Sequence, residues 1–174
     1  MTQPMDASIS IQTLPGGTEG DLWEAIRTVR VQVFIVEQSI APDEEWDDLD
    51  GDPDTVHLAA VRPDGTCVGV ARCFLDWNGI REDGHLEPAW RIGRMAVVKD
   101  ARGLGIGLLL LDHAYTLGRS CPVALRRALL SAQTYAIPFY ARAGFRAFGE
   151  IHMDAGIPHR WMEKPLALGV TEGP

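Results

Sequence analysis

A chain of 174 residues with 46% hydrophobic content can bury one sizeable core and is too short for two comfortable ones. Its formal net charge of −8 argues against a nucleic-acid binder, which would present a basic face, and no apolar run approaches the roughly 20 residues that a membrane-spanning helix needs. The opening MTQPMDASIS has neither the basic region nor the apolar core of a signal peptide, so a cytoplasmic protein with no membrane partner is expected.

Leu22, Ile26, Val29 and Val33 recur at helical spacing and predict a first helix over Asp21 to Val36, with helical content to about Glu37, although the β-branched run VQVFIV blurs its end. The stretch Asp43 to Asp54, DEEWDDLDGDPD, is strongly acidic. It fails as a calcium loop, because Thr55 stands where the loop needs glycine and Val61 where it needs the bidentate glutamate. Two readings stay open, a solvated acidic loop and a substrate-side lid that attracts a cationic amine; Trp46 and Leu49 favour the ordered lid. Val56 to Val61 and Cys67 to Leu75 read as strands around the turn Pro63-Asp64-Gly65, and Trp77 to Ala89 as a loop. Cys67, Cys73 and Cys121 have neither pairing arithmetic nor metal spacing and read as small buried thiols; no metal site is expected.

Met95 to Val98 reads as a buried strand, Lys99 to Ala101 as a turn, and the following residues as a helix opening on Gly103, Gly105 and Gly107, with Leu104, Leu108, Leu111 and Tyr115 on one face. A strand from about Ala128 to Ala132 precedes a short helix, Ile137 to Ala143, stopped by Gly144. Phe145 to Met153 and His159 to Leu166 form a final hairpin, and the tail LGVTEGP reads as frayed. This order predicts a mixed sheet with helices on its faces.

Three glycines near a helix start cost about 1 kcal/mol each relative to alanine. Close approach of a ligand to bare backbone gives a reason for them. The first amides of a helix lack intrahelical partners and sit at the positive end of its dipole, so they can bind a pyrophosphate, with Arg102 adding a formal charge. A dinucleotide fingerprint fails, because leucine, Leu108 or Leu110, stands at its third glycine. A nucleoside-triphosphate loop fails because the chain has no glycine-lysine pair. What remains is R-x-x-G-x-G over Arg102-Gly103-Leu104-Gly105-Ile106-Gly107, which resembles the coenzyme A-binding motif of the GCN5-related N-acetyltransferase (GNAT) superfamily. RRALLSAQTYAIPFYARAGF, residues 126 to 145, resembles the second signature of that family. VFIVEQ, IGRMAV and GIPHRWM are similar to its ElaA-like branch. The resemblance runs from about Leu22 to Leu166.

The resemblance implies an α/β fold of the mixed α+β type: one domain over residues 1–174 with its core at about 20–167, a central mostly antiparallel sheet, a splayed parallel pair, and helices on both faces. It implies acetyl-CoA as cosubstrate, its pantetheine arm along the backbone of Met95, Ala96 and Val97, its pyrophosphate on Arg102, Gly103, Leu104, Gly105, Ile106 and Gly107, and Gln133 reaching it from the second splayed strand. It also implies direct transfer of the acetyl group to the primary amine of a small molecule. A backbone amide near Ala96 or Val97 would meet the oxyanion, and Tyr140 would protonate the leaving thiolate without ever having to be charged. The base is open among Glu37, Glu45, Asp48, His57 and His159. Arg72 and Arg94 could hold a substrate carboxylate, and Glu45, Asp48 and His159 could line the acceptor side. A homodimer is compatible with the sequence. Two other classes stay open. One is a non-catalytic acyl-CoA-binding module, which Tyr140 argues against. The other is an acyl-homoserine-lactone-synthase-like enzyme using longer acyl donors, which the full glycine motif argues against.

Overall fold

The computed structural model describes residues 8–166. Seven strands make one mixed sheet in the order β1-β2-β3-β4-β5-β7-β6: β1 Ser10–Pro15, β2 Val56–Val61, β3 Cys67–Ile80, β4 Leu86–Val97, β5 Arg127–Gln133, β6 Arg146–Asp154 and β7 Ile157–Pro165. The pairs β1·β2, β2·β3, β5·β7 and β6·β7 are antiparallel. β4 and β5 are parallel, with Trp90 opposite Ala128 and Arg91 opposite Leu129. The helices are α1 Asp21–Arg30, α2 Pro42–Glu45, α3 Ile106–Arg119 and α4 Ile137–Arg142. This is the mixed α/β fold expected. None of the described helices is long and apolar enough to cross a membrane.

The contacts group the chain into two compact units, residues 1–74 with 93–114 and residues 75–92 with 115–174. In the first, α1 buries Ile26 and Val29, and the helix continues as a π-helix, Val31–Glu37, that buries Val33 and Phe34. The β-branched run that blurred the helix end thus stays helical with wider turns, the Gln38 amide donating to the Val33 carbonyl. Strands β2 and β3 supply Leu58, Ala59, Val68 and Val70 to the same core. Gly69 lets α3 lie close on β3, because a Cβ there would stand 3.0 Å from Leu110 Cδ1 and 3.1 Å from Ile106 Cγ2.

In the second unit Leu129, Leu130, Ala132, Phe148 and Met162 are buried. Buried Arg127 ties down the end of β3, donating to the carbonyls of Gly79 and Ile80 and pairing with Glu163 at 2.9 Å. α4 ends as a Schellman motif, with the Gly144 amide donating to the Ala141 carbonyl and the Phe145 amide to that of Tyr140. The ladder of β6 and β7 is irregular: β6 takes four steps from Phe148 to His152 while β7 takes two from Trp161 to His159.

Four expectations are corrected. Residues 77–89 are not a loop, since β3 runs to Ile80 and β4 starts at Leu86 around a tight turn in which the Arg81 amide donates to the His85 carbonyl. β1 was not anticipated. The helix after the glycine turn starts at Ile106, so Gly103 and Gly105 precede it. Its buried face in the first unit is therefore Ile106, Leu110, Leu111 and Ala114, while Leu108 is 49% exposed. The tail at 167–174 lies outside the described residues. Of the three thiols expected to be buried, Cys73 lies in the core while Cys67 and Cys121 are half-buried, and burial pushes the thiols of Cys67 and Cys73 up to about 11 and about 12, which keeps them unreactive.

Candidate active site

At the end of β4, half-buried Met95 and Val97 flank buried Ala96. A 3₁₀ turn, Lys99–Ala101, leads to Arg102 and then into α3. Gly103 and Gly105 take φ of +78° and +81°, the left-handed region open to glycine, with Leu104 between them. The Leu109 amide donates to the Gly105 carbonyl, so Gly105 caps the helix without a side chain. The amides of Ile106, Gly107 and Leu108 are those that an α-helix leaves without intrahelical partners. No described residue outside the turn lies within 4 Å of where a Cβ on Gly103 would be, so among the described residues the turn presents backbone with open space over it. This chemistry suits a pyrophosphate.

Arg102 carries the charge expected beside that backbone, and the structure gives it partners. Its Nε donates to the Val97 carbonyl at 2.8 Å, and its two other nitrogens grip both carboxylate oxygens of Glu37, at 2.7 and 2.9 Å. Glu37, at the end of the π-helix, is one of the base candidates. The hydrogen bond and charge of Arg102, helped by Lys99, hold its carboxyl below the usual glutamate range despite some burial. It is thus a weak proton acceptor while the fork is closed.

The acidic stretch is ordered, as Trp46 and Leu49 suggested, but for another reason. Arg30, 1% exposed in the apolar stripe of α1, meets Glu45 Oε1 at 2.6 Å and Asp50 Oδ1 at 2.5 Å. Arg72 grips Asp47 at 2.6 and 2.9 Å and Asp50 at 2.8 Å. Arg94 reaches the Glu45 carbonyl and carboxylate and Asp47 Oδ2. Its own backbone sits at φ +48°, a strained conformation for a non-glycine residue in a strand. Trp46 lies over the Arg30 guanidinium, 4.5 Å from its ring centre. Three arginines therefore balance three carboxylates. Glu45, Arg72 and Arg94, expected on the substrate side, are engaged within this cluster, Glu45 with Arg30 and Arg94 and Arg72 with Asp47 and Asp50, and Asp48 is exposed. His57 is buried under Trp23, donates Nε2 to the Asp50 carbonyl, and is kept neutral by that burial.

The second unit gathers the other expected residues at one end of its sheet. Gln133 ends β5 opposite His159 of β7, and a 3₁₀ turn, Thr134–Ala136, leads directly to α4 and Tyr140. The Tyr140 ring packs edge-on against Phe139 and Phe145. Burial, with a smaller push from Tyr135, raises its hydroxyl well above the usual tyrosine range. No described residue hydrogen-bonds that hydroxyl, so it stands as a neutral donor at physiological pH. His159 Nδ1 lies 2.7 Å from the Ile157 carbonyl. His152 stacks on both Trp161 and His159, with its Nε2 3.0 Å from Ser131 Oγ. Sequence reasoning passed over Arg30 and His152. An arginine inside the apolar stripe of α1 was the available signal for the first.

Comparisons with known proteins bear on the family of the chain. Residues 24–166 match the family model of the acetyltransferase (GNAT) domain. The uncharacterised N-acetyltransferase YjcF of Bacillus subtilis is 32% identical over 140 residues, covering 78% of this chain and 87% of that protein. A crystal structure of an acyl-CoA N-acyltransferase from Pseudomonas aeruginosa is 31% identical, with a TM-score of 0.72 over 90% of this chain and 99% of that one. Escherichia coli ElaA, 25% identical, superposes with a TM-score of 0.73 over the same shares. With the family model spanning most of its length and a solved acyltransferase at nearly a third identity, the chain belongs to the GNAT family, as an N-acyltransferase whose cosubstrate is an acyl-CoA.

Proposed function

We propose that the protein moves an acetyl group from acetyl-CoA directly to the primary amine of a small molecule, in the cytoplasm. The observation that carries this reading is the open, glycine-bearing turn before α3, with Arg102 beside it. In this reading residues 102–107 hold the pyrophosphate, the backbone of residues 95–97 holds the pantetheine arm and an amide there meets the oxyanion, and Gln133 contacts the cosubstrate. The free hydroxyl of Tyr140 then protonates the departing thiolate. On the acceptor side, Asp48 and the other exposed carboxylates of residues 43–54 attract a cationic amine, while Arg30, Arg72 and Arg94 fix that segment in place. A small acceptor is favoured over nucleic acid by the net charge of −8.

Thiol release from acetyl-CoA, followed across a panel of small primary amines and basic peptides, tests the reading. Turnover with small amines is expected. Turnover with peptides alone would overturn the small-molecule acceptor, and turnover only with longer acyl-CoAs would overturn acetyl as the transferred group.

The turn makes a separate prediction. Gly105→Val puts a β-branched side chain at φ +81° and over the cradle, so calorimetry should show acetyl-CoA binding abolished while the far-ultraviolet circular dichroism stays native. Undiminished affinity would remove the turn from the binding site.

A further inference from the structure

We propose that His159 is the general base that takes the proton from the attacking amine. The proposal deepens the transfer reading above and rests on it. A carbonyl can only accept, so the 2.7 Å contact between His159 Nδ1 and the Ile157 carbonyl puts a proton on Nδ1, and in the neutral form of the ring the lone pair is on Nε2. No described residue hydrogen-bonds that Nε2. His159 is 9% exposed and its ring is stacked beside that of His152. Its Nε2 is thus left without a partner among the described residues.

The other candidates are engaged. Glu37 is forked by Arg102, Glu45 lies between Arg30 and Arg94, and His57 is 1% exposed beneath Trp23. Asp48 is a solvated carboxylate on the segment held by the arginines.

Position agrees with role. The pairing of β5 with β7 is regular from Arg127–Pro165 to Gln133–His159, so side chains on β7 alternate strictly between the two faces. Lys164 reaches the carbonyl of Ala143 at the end of α4, which places even-numbered residues of β7 on the α4 face and His159 on the other. Tyr140 on α4 and His159 therefore serve opposite faces of the same sheet end, next to Gln133. Separate groups suit acyl transfer, because the thiolate that must be protonated and the amine that must lose a proton are different substituents of the tetrahedral carbon. On the His159 face, Trp161 and His152 extend the ring surface as a floor for the acceptor, with Ser131 fixing His152.

In the step, the amine nitrogen forms the N–C bond and gives a proton to His159 Nε2. The tetrahedral intermediate then collapses with cleavage of the C–S bond, and the thiolate takes the Tyr140 proton. Solvent exchange returns the His159 proton to water and restores Tyr140, so the net transfer is one proton from amine to thiol.

Asparagine at 159 keeps a donor for the Ile157 carbonyl and removes the base. With acetyl-CoA and an alkyl primary amine, His159→Asn should lose kcat by about 10²–10⁴-fold, with KM for acetyl-CoA unchanged. The loss should shrink for methoxyamine, whose weakly basic nitrogen is unprotonated at neutral pH and gives up its proton readily once bonded to carbon, a difference that a merely structural role would not produce. His152→Phe, which keeps the stacked ring, should lose far less. Parent-like turnover by His159→Asn, or a greater loss in His152→Phe, would overturn the proposal. Nitrogen-15 NMR on the unaltered protein gives an independent reading: the Nδ1–H tautomer of His159 at neutral pH is expected, and the Nε2–H tautomer would overturn the assignment even if the variant does not fold. A parent protein silent with every amine would instead overturn the transfer reading, so the two failures are distinguishable.

Discussion

Replacing Arg30 by methionine is expected to lower the stability of the protein by about 3–5 kcal/mol, the scale of breaking a buried ion pair from one side. The side chain is 1% exposed and serves Glu45, Asp50 and the Glu45 carbonyl. Methionine fills much of the volume but leaves two carboxylates facing apolar surroundings, with Arg72 and Arg94 as their remaining counter-charges. Urea denaturation monitored by tryptophan fluorescence would show the loss, and a midpoint unchanged from the parent would mean that the cluster is solvated in solution. The same cluster sets the response to acid. Burial alone would raise the Asp50 carboxyl, but the hydrogen bonds and charge of Arg30, with the charge of Arg72, outweigh it and hold it at about 2. A depressed folded-state value contributes stability that is fully present above the ordinary aspartate range and is lost as pH falls through about 2. Glu45 works in the opposite sense. Its burial raises its carboxyl against the pull of Arg30 and Arg94, so its protonation does not drive acid unfolding.

Tyr140→Phe should slow acetyl transfer by about 10²–10⁴-fold while leaving the fold and acetyl-CoA affinity intact. The substitution removes one hydroxyl and keeps the ring between Phe139 and Phe145. Because no described residue hydrogen-bonds that hydroxyl, its removal strands no buried partner. Its raised value keeps it protonated across the neutral range, so its donor capacity should not vary with pH there. Single-turnover transfer at neutral pH isolates the chemical step. A variant as fast as the parent would mean that water supplies the proton and that Tyr140 only packs.

The elements most legible in sequence were those whose signals are local. The helical spacing of Ile26, Val29 and Val33, the Pro63-Asp64-Gly65 turn, and the Gly144 stop each depend on neighbours within a few residues, and each reappears in the structure. The hairpin at 81–85 carried a comparable signal, Asp83-Gly84 between apolar residues, that the polar run around it obscured. The start of α3 was misplaced because glycine spacing alone does not show backbone sign; at positive φ, Gly103 and Gly105 belong to the turn, and moving the start to Ile106 shifts the buried face. The acidic stretch was the hardest. Its charge partners lie 15 to 49 residues away in sequence, and a carboxylate aimed at a distant arginine reads the same as one aimed at a ligand. The glycine motif and Tyr140 stand out in sequence as candidates because their motifs are local, whereas the fork of Arg102 on Glu37 joins residues 65 apart and is visible only in the fold.

β6 closes one side of the sheet, and Ile151 and Met153 on it are 63% and 64% exposed. An uninterrupted border of this kind offers unpaired amides and carbonyls to any extended chain, and apolar side chains strengthen the invitation to aggregate. The extra residues between Phe148 and His152 break that row, Gly149 turns to φ +68°, and Arg160 Nε occupies its carbonyl at 2.9 Å. The irregularity that seats His152 beside Trp161 thus also denies an extended chain a straight template, so one local distortion both places the stacked rings and interrupts the open edge.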